Sequence, residues 1–290
     1  MNAVSFVCFG EILWDILPGE EVPGGAPMNV AYHLQQLGYQ PVVITQVGKD
    51  KKGYELLEKL HQLSINTAHV LQTGEHQTGI VNAIPQPNGD MKYDIISPVA
   101  WDFIECTDAL LNEVKQADYF IFGSLAARNH TSGNTLKKLI SVARKKILDI
   151  NLRVPHYTES HLAALLECAD ILKLNEEELV LITGWWGNFE SLESRAAFIA
   201  EKFRLELVIV TRGADGAMVY KDSRFYYQEG IPVKVIDTIG SGDSFLAAFI
   251  AGYSAGKSIQ ESLTAATKLG AFVASSKGAW PEYKTSEIFR

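Results

Sequence analysis

Short runs of β-branched and aliphatic residues alternate with amphipathic helical stretches along most of the chain, and few folds accept that rhythm. Residues 4–9 read as a buried strand and 41–47 as another. Between them, 27–37 carries a helical stripe of Val30, Ala31, Leu34 and Leu37, with Pro27 in its first turn and Gly38 just past its end. Residues 51–63 repeat the helical period. Further strands are expected at 119–122, 146–150, 171–174, 207–211 and 217–220, with helices between them. Strands that take turns with helices pair in parallel, because each crossover returns the chain to the same end of the sheet. The expected class is therefore α/β: a doubly wound, mostly parallel sheet with helices on both faces. A chain of 290 residues, 47% of them hydrophobic, suffices for one such domain over 1–290.

Two segments, about 11–23 and 70–101, break the rhythm. Residues 12–17 follow the first strand too closely for a helix to intervene. Residues 78–84 and 91–96 read as a hairpin joined by Pro87, Asn88, Gly89 and Asp90. These pieces are expected to form a small β-sheet lid over one end of the main domain. Exposed strand edges and apolar surface on such a lid would be covered by pairing two copies, so a homodimer through the lid is expected.

Composition excludes several classes of partner. A formal net charge of -8 disfavours nucleic acid and anionic membranes. No run of roughly 18 apolar residues is present, and no basic segment followed by an apolar one opens the chain. Cys8, Cys106 and Cys168 form no C-x-x-C pair and sit beside apolar residues, so buried free thiols in a reducing cytoplasm are expected. The histidines show no zinc spacing.

The most informative segment runs from Asp237 through Thr238, Ile239, Gly240, Ser241, Gly242 and Asp243 to Phe245. A strand-like run, 232–236, precedes it and an apolar helical stretch, 245–255, follows. Small residues at the first turn of a helix let an anion approach the unsatisfied N–H groups and the positive end of the dipole. Asp243 stands at the same turn, where a carboxylate can take a proton from a hydroxyl. An acidic residue there is also simply favourable for the helix dipole. Residues 252–258 nearly spell a P-loop, but Ala251 occupies the slot of the first Gly and a helix precedes it, so Gly256 is expected to end that helix.

The segment resembles the C-terminal signature of the ribokinase-like (PfkB) carbohydrate kinases, D-T-x-G-A-G-D-x-F, with Ser241 in place of Ala. The resemblance implies Asp243 as general base and Gly240, Ser241 and Gly242 as an anion hole for a transferring phosphoryl group. Gly24, Gly25, Ala26 and Asn29 are similar to the family's N-terminal signature, in which the glycines admit sugar hydroxyls and the Asn bonds them. Asp15 stands where family members place a sugar-binding Asp. Asn175 and Glu178 match the motif that orders Mg²⁺ through water beside ATP, and oxygen donors suit that ion. Thr211, Gly213 and Gly216 match a turn flanking the ATP phosphates and ribose, and a helix over 266–277 is expected beside the adenine. The resemblance extends to a K⁺ site formed by Asp237, Ile239 and carbonyls from Val273 to Gly278.

Two segments bear on the acceptor. Residues 149–153, with Arg153, and 123–128, with Arg128, end strands at the expected ligand edge of the sheet. Both resemble bacterial fructokinases, as does the run 169–175. The implied reaction transfers the γ-phosphate of ATP to a primary hydroxyl, O6 of D-fructose first among candidates. Arg153 suits neutral hydroxyls or a carboxylate equally, which keeps 2-keto-3-deoxygluconate open. Ribose and nucleosides stay open as acceptors, and so does a non-catalytic sugar- or nucleotide-binding regulator on the same fold.

Overall fold

The computed structural model describes residues 4–85 and 91–289. Among these the strands are β1 (Phe6–Phe9), β2 (Leu13–Leu17), β3 (Glu20–Gly24), β4 (Val42–Gly48), β5 (Val70–Thr73), β6 (Gly79–Pro85), β7 (Met91–Ile95), β8 (Tyr119–Gly123), β9 (Lys145–Asp149), β10 (Ile171–Asn175), β11 (Leu207–Thr211), β12 (Ala217–Lys221) and β13 (Arg224–Gln228). The α-helices are α1 (Ala26–Gln36), α2 (Lys51–Gln62), α3 (Asp108–Gln116), α4 (His130–Val142), α5 (Glu159–Leu166), α6 (Glu176–Gly184), α7 (Leu192–Phe203), α8 (Ser241–Ser254), α9 (Ile259–Ala274) and α10 (Thr285–Ile288).

Nine strands form the main sheet in the order β13-β12-β11-β10-β9-β8-β1-β4-β5. All neighbours from β11 to β5 run parallel, and β12 and β13 are added antiparallel. The pleat splits the core in two. Phe6 and Cys8 point to the face covered by α1, α2, α8 and α9, whereas Val7 and Phe9 point to the face covered by α3 to α7. Helix α8 is buried from Asp243 to Gly252 on every side, which explains a stretch apolar all round. It lies between α1 and α9 on their face of the sheet.

From β1 the chain first builds rightward to β4 and β5, then crosses to β8 and builds leftward. The reversal beside β1 opens a crevice at the carboxyl ends of the strands. A second sheet, β3-β2-β6-β7, leaves β1 through Gly10, Glu11 and Ile12 and roofs that crevice. The expected hairpin is present as the antiparallel pair β6 and β7, while its turn residues 87–90 lie outside the described residues.

Several expectations are corrected. Residues 232–236 are not a strand. The segment pairs with no strand, and the Ile236 and Asp237 N–H groups bond the Ala274 carbonyl at the end of α9. Residues 70–73 are not lid: they form β5, paired with β4 at the main sheet's edge. The last long helix starts earlier than 266, because Ser258 and Glu261 make a capping box. It also ends earlier than 277, because the Ser275 and Ser276 hydroxyls bond the Phe272 carbonyl. Strand β3 was not foreseen; its Pro23 is accommodated at the edge of the lid sheet. The cysteines are free as expected, but only Cys8 is buried; Cys168 is exposed at the turn that ends α5.

Candidate active site

A cavity of about 470 Å³ lies under the lid at the crevice. The main sheet supplies its floor through the ends of β9, β10 and β11, and Leu13, Val81, Tyr93 and Ile95 of the lid close it from above. That size admits a small organic substrate with part of a cofactor.

Asp243 occupies the first turn of α8 and is 8% exposed. Gly240 caps the helix in the left-handed region, at φ 76°, and a Cβ there would stand 2.6 Å from that of Ala279. Gly242 leaves room for the Lys173 ammonium, which would lie 3.1 Å from a Cβ at that position. The N–H groups of the first helical turn have no intrahelical acceptor, so an anion placed there finds donors and the dipole together. Ser241 departs from the expected role. Its N–H reaches the Thr238 carbonyl at 3.3 Å and its hydroxyl the Gly270 carbonyl at 3.0 Å. The side chain is turned toward α9, which is how Ser replaces Ala without filling the cavity.

Around Asp243 the charges are arranged in depth. Lys173 of β10 bonds both oxygens of Asp149 on β9, at 2.9 and 3.0 Å, with both residues buried. Burial alone would discharge this ammonium, but the carboxylates of Asp149 and Asp243 outweigh that and hold its pKa above the ordinary value. Burial pushes the Asp243 carboxyl up, opposed by Lys173, by a hydrogen bond from Asn29 and by Arg153. Asn29 Nδ2 donates to Asp243 Oδ2 at 2.7 Å.

The acceptor end is rich in carboxyl groups. Glu11, directly after β1, is 3% exposed; Oε1 accepts from Ala26 N–H at 3.3 Å, and the buried Oε2 has no protein partner. Burial and the neighbouring Asp243 push it up to about 7, against its own backbone hydrogen bonds and Arg153. Asp15 on β2 is pushed up to about 6 by burial, with Arg153 opposing and Asp237 and Asp243 adding to it. Gly24 makes room for the Asp15 carboxylate, and Gly25, at φ 113°, lets the chain pass the Glu11 carbonyl.

The expected site residues divide cleanly. Asp15, Gly25, Asn29, Arg153, Asn175, Glu178, Thr211, Ile239, Gly240, Gly242 and Asp243 line the cavity. Glu178 accepts from Leu152 N–H at 2.7 Å and from Asn175 N–H at 2.8 Å, while Asn175 Oδ1 accepts from Glu178 N–H. This capping box ties α6 to the loop after β9, where Asn151 takes a left-handed φ of 41°. Gly213 and Gly216 instead shape the β11–β12 connection, and a Cβ at Gly216 would collide with the Gln228 carbonyl. Asp237 joins two loops: Oδ1 accepts from Ile239 N–H at 2.9 Å and Oδ2 from Gly278 N–H at 3.1 Å. The Val273 carbonyl accepts from Ser276 N–H at 2.9 Å.

Arg128 does not reach the cavity. Its guanidinium makes a two-pronged pair with buried Asp102, at 2.7 and 2.8 Å, and bonds the Ile96 carbonyl at 2.8 Å. It also lies 3.9 Å from the centre of the Trp101 ring. Asp102 neutralises the charge that the sequence had suggested for the sugar. Glu11 and Lys173 were missed as site residues; the only signal was an acid or base abutting a strand end.

The chain resembles known proteins along nearly its whole length. Residues 13–285 match the model of the pfkB family carbohydrate kinases. A fructokinase of Salmonella typhimurium is 29% identical over 302 residues, covering 96% of this chain and 95% of the relative. A fructokinase of Escherichia coli is 29% identical with 96% and 95% covered. Among solved structures, Xylella fastidiosa fructokinase with bound ATP superposes with a TM-score of 0.87 at 21% identity, covering 98% of this chain and 96% of that one. Vibrio cholerae O395 fructokinase bound to fructose, ADP and calcium ion gives 0.84 at 24% identity, with 99% and 98% covered.

Proposed function

Starting from a chain that belongs to the pfkB family of carbohydrate kinases, we propose that it phosphorylates a neutral sugar, D-fructose at O6, with ATP as donor. The observation that carries this reading is Asp243, buried at an anion-binding helix start and facing a cavity whose acceptor end is lined by hydrogen-bonding groups. In the reaction Asp243 takes the proton of the primary hydroxyl. The oxygen attacks the γ-phosphorus, the new O–P bond forms, and the bond to the β-phosphate oxygen breaks to release ADP. Backbone N–H groups at the start of α8 and the Lys173 ammonium face the charge that builds on the transferring group.

A Mg²⁺ ion carried by the nucleotide would offset negative charge on its phosphates, held through water by Glu178 and Asn175. Glu178 and Asn175 fit the outer role: both line the cavity with oxygen atoms, and the Glu178 carboxylate is already anchored by two backbone N–H groups. No cluster of three metal-binding side chains occurs among the described residues, which suits an ion held mainly by phosphate and water. A K⁺ ion fits beside Asp237, whose carboxylate links the two loops concerned. Equal turnover in potassium and tetramethylammonium salts would remove it.

The choice of a neutral sugar rests on electrostatics. Arg153 lines the cavity, and its charge acts on Glu11, Asp15 and Asp243 at once. An acceptor carboxylate, as in 2-keto-3-deoxygluconate, would add a further acidic group there. The fructokinase relatives agree with this choice. We further expect a cytoplasmic homodimer through the lid, supported by exposed Tyr93 and Ile84 beside the lid's strand edges. A monomeric mass at micromolar concentration would remove the dimer.

The test is ADP release with ATP, Mg²⁺ and, in turn, fructose, ribose, 2-keto-3-deoxygluconate, tagatose and adenosine. Preferred turnover of fructose supports the reading. Preference for the keto-acid would reassign Arg153 to a carboxylate, and no release from folded protein would favour a binding role. Asp243→Asn should lower kcat by about 10²–10⁴-fold with little change in sugar affinity.

A further inference from the structure

Asn29 is tied on both sides. Its Nδ2 donates to Asp243 Oδ2 at 2.7 Å, and its Oδ1 accepts from Trp280 Nε1 at 2.7 Å. The two ends of an amide differ by one atom, but an indole nitrogen can only donate. Whatever faces Trp280 must therefore be the oxygen, and the NH₂ must face the carboxylate. The indole is itself held in place: its ring stacks on Tyr32, with centroids 5.7 Å apart, and the next residue's carbonyl accepts from the Tyr32 hydroxyl at 2.8 Å. Asn29 is 3% exposed, so little water is at hand to replace a lost partner.

We propose that Trp280 is a positioning residue: its N–H sets the rotation of the Asn29 amide so that a donor, not an acceptor, meets the catalytic base. The inference rests on Asp243 being that base. With the donor in place, the carboxylate form of Asp243 is favoured. Without it, the amide can turn and present Oδ1, to which the Asp243 carboxyl can donate only once it is protonated. Other groups acting on Asp243 are Lys173 of β10, Asp149 of β9, Glu11 after β1, Asp15 of β2 and Arg153 after β9. None of them touches Trp280 in a hydrogen bond, so the indole can be changed while they stay.

The test is the titration of the Asp243 carboxyl carbon, ¹³C-labelled and identified by its loss in Asp243→Asn. It is followed in the wild type, in Trp280→Phe, and in a protein carrying the benzothiophene analogue of tryptophan at position 280. The analogue keeps the ring and removes the N–H. Both changes should move the midpoint upward by about one pH unit, the worth of one hydrogen bond to a charged group. The acid limb of kcat/KM should follow, with turnover several-fold below wild type near the old midpoint and recovering at higher pH. An unmoved midpoint overturns the proposal. So does a shift in Trp280→Phe that the analogue does not share, because packing alone would then explain it. Full turnover in Asp243→Asn would sink the base itself, while the midpoints would still decide what sets the amide.

Discussion

Glu11 is a carboxyl that folding moves out of water and sets beside another acid. Its pKa rises from 4.5 to about 7, so the folded chain binds its proton more tightly than the unfolded chain does. The stabilisation this represents is complete below pH 4.5 and is lost as pH climbs through 7. Glu11→Gln removes the charge and keeps an acceptor for the Ala26 N–H. It should raise stability above pH 7 by on the order of 2–3 kcal/mol and leave it unchanged near pH 4, as read from urea unfolding at the two pH values. A variant no more stable at pH 8 than the wild type would show that the Glu11 carboxylate has a compensating partner. The same residue explains why side-chain chemistry was only half legible. Asp243 announces itself because it follows Gly240 and Gly242 at a helix start. Glu11 stands in an ordinary stretch after β1, and its partners come from Ala26 and from a helix more than two hundred residues away.

At the scale of elements, the start of α8 concentrates the most constraint in the fewest residues. Gly240 combines a positive φ with an approach to Ala279 that a methyl group would violate. Gly240→Ala should cost about 1–2 kcal/mol from the backbone alone and more from the collision, with a matching fall in turnover. Thermal melting and kcat on one preparation check this; an unchanged Tm would show that the Ala279 segment yields freely. Such glycines could be found by reading the chain, since a turn between an apolar run and a helix demands them. The alternating strands and helices were legible for the same reason: period and punctuation are local. The run 232–236 was misread because Val233, Val235 and Ile236 are β-branched, although the segment pairs with no strand and leaves them exposed. Strand β3 was missed because Pro23 argues against a strand unless the strand lies at an edge.

Across the whole molecule, lid and body are joined through Arg128. The guanidinium is buried, paired with Asp102 and bonded to the carbonyl of Ile96 just beyond lid strand β7. Breaking one member of such a pair strands the other as a buried charge. Asp102→Asn should therefore destabilise the chain by about 3–5 kcal/mol, measured as a lowered urea midpoint. A loss under about 1 kcal/mol would mean that Arg128 finds solvent and that the lid is not anchored there. Nothing in the spacing of Asp102 and Arg128 signals this pair, and a basic residue at a strand end reads equally well as a substrate contact. The indole of Trp280 also gives the molecule an optical reporter. Excited tryptophan is sensitive to what its N–H touches, and this one touches a side chain that lines the cavity. A sugar entering beside Asn29 should change the emission intensity, and Trp280→Phe should abolish most of that change. Occupancy of the site can then be followed by fluorescence alone, without any phosphate being transferred, so binding and turnover become separately visible.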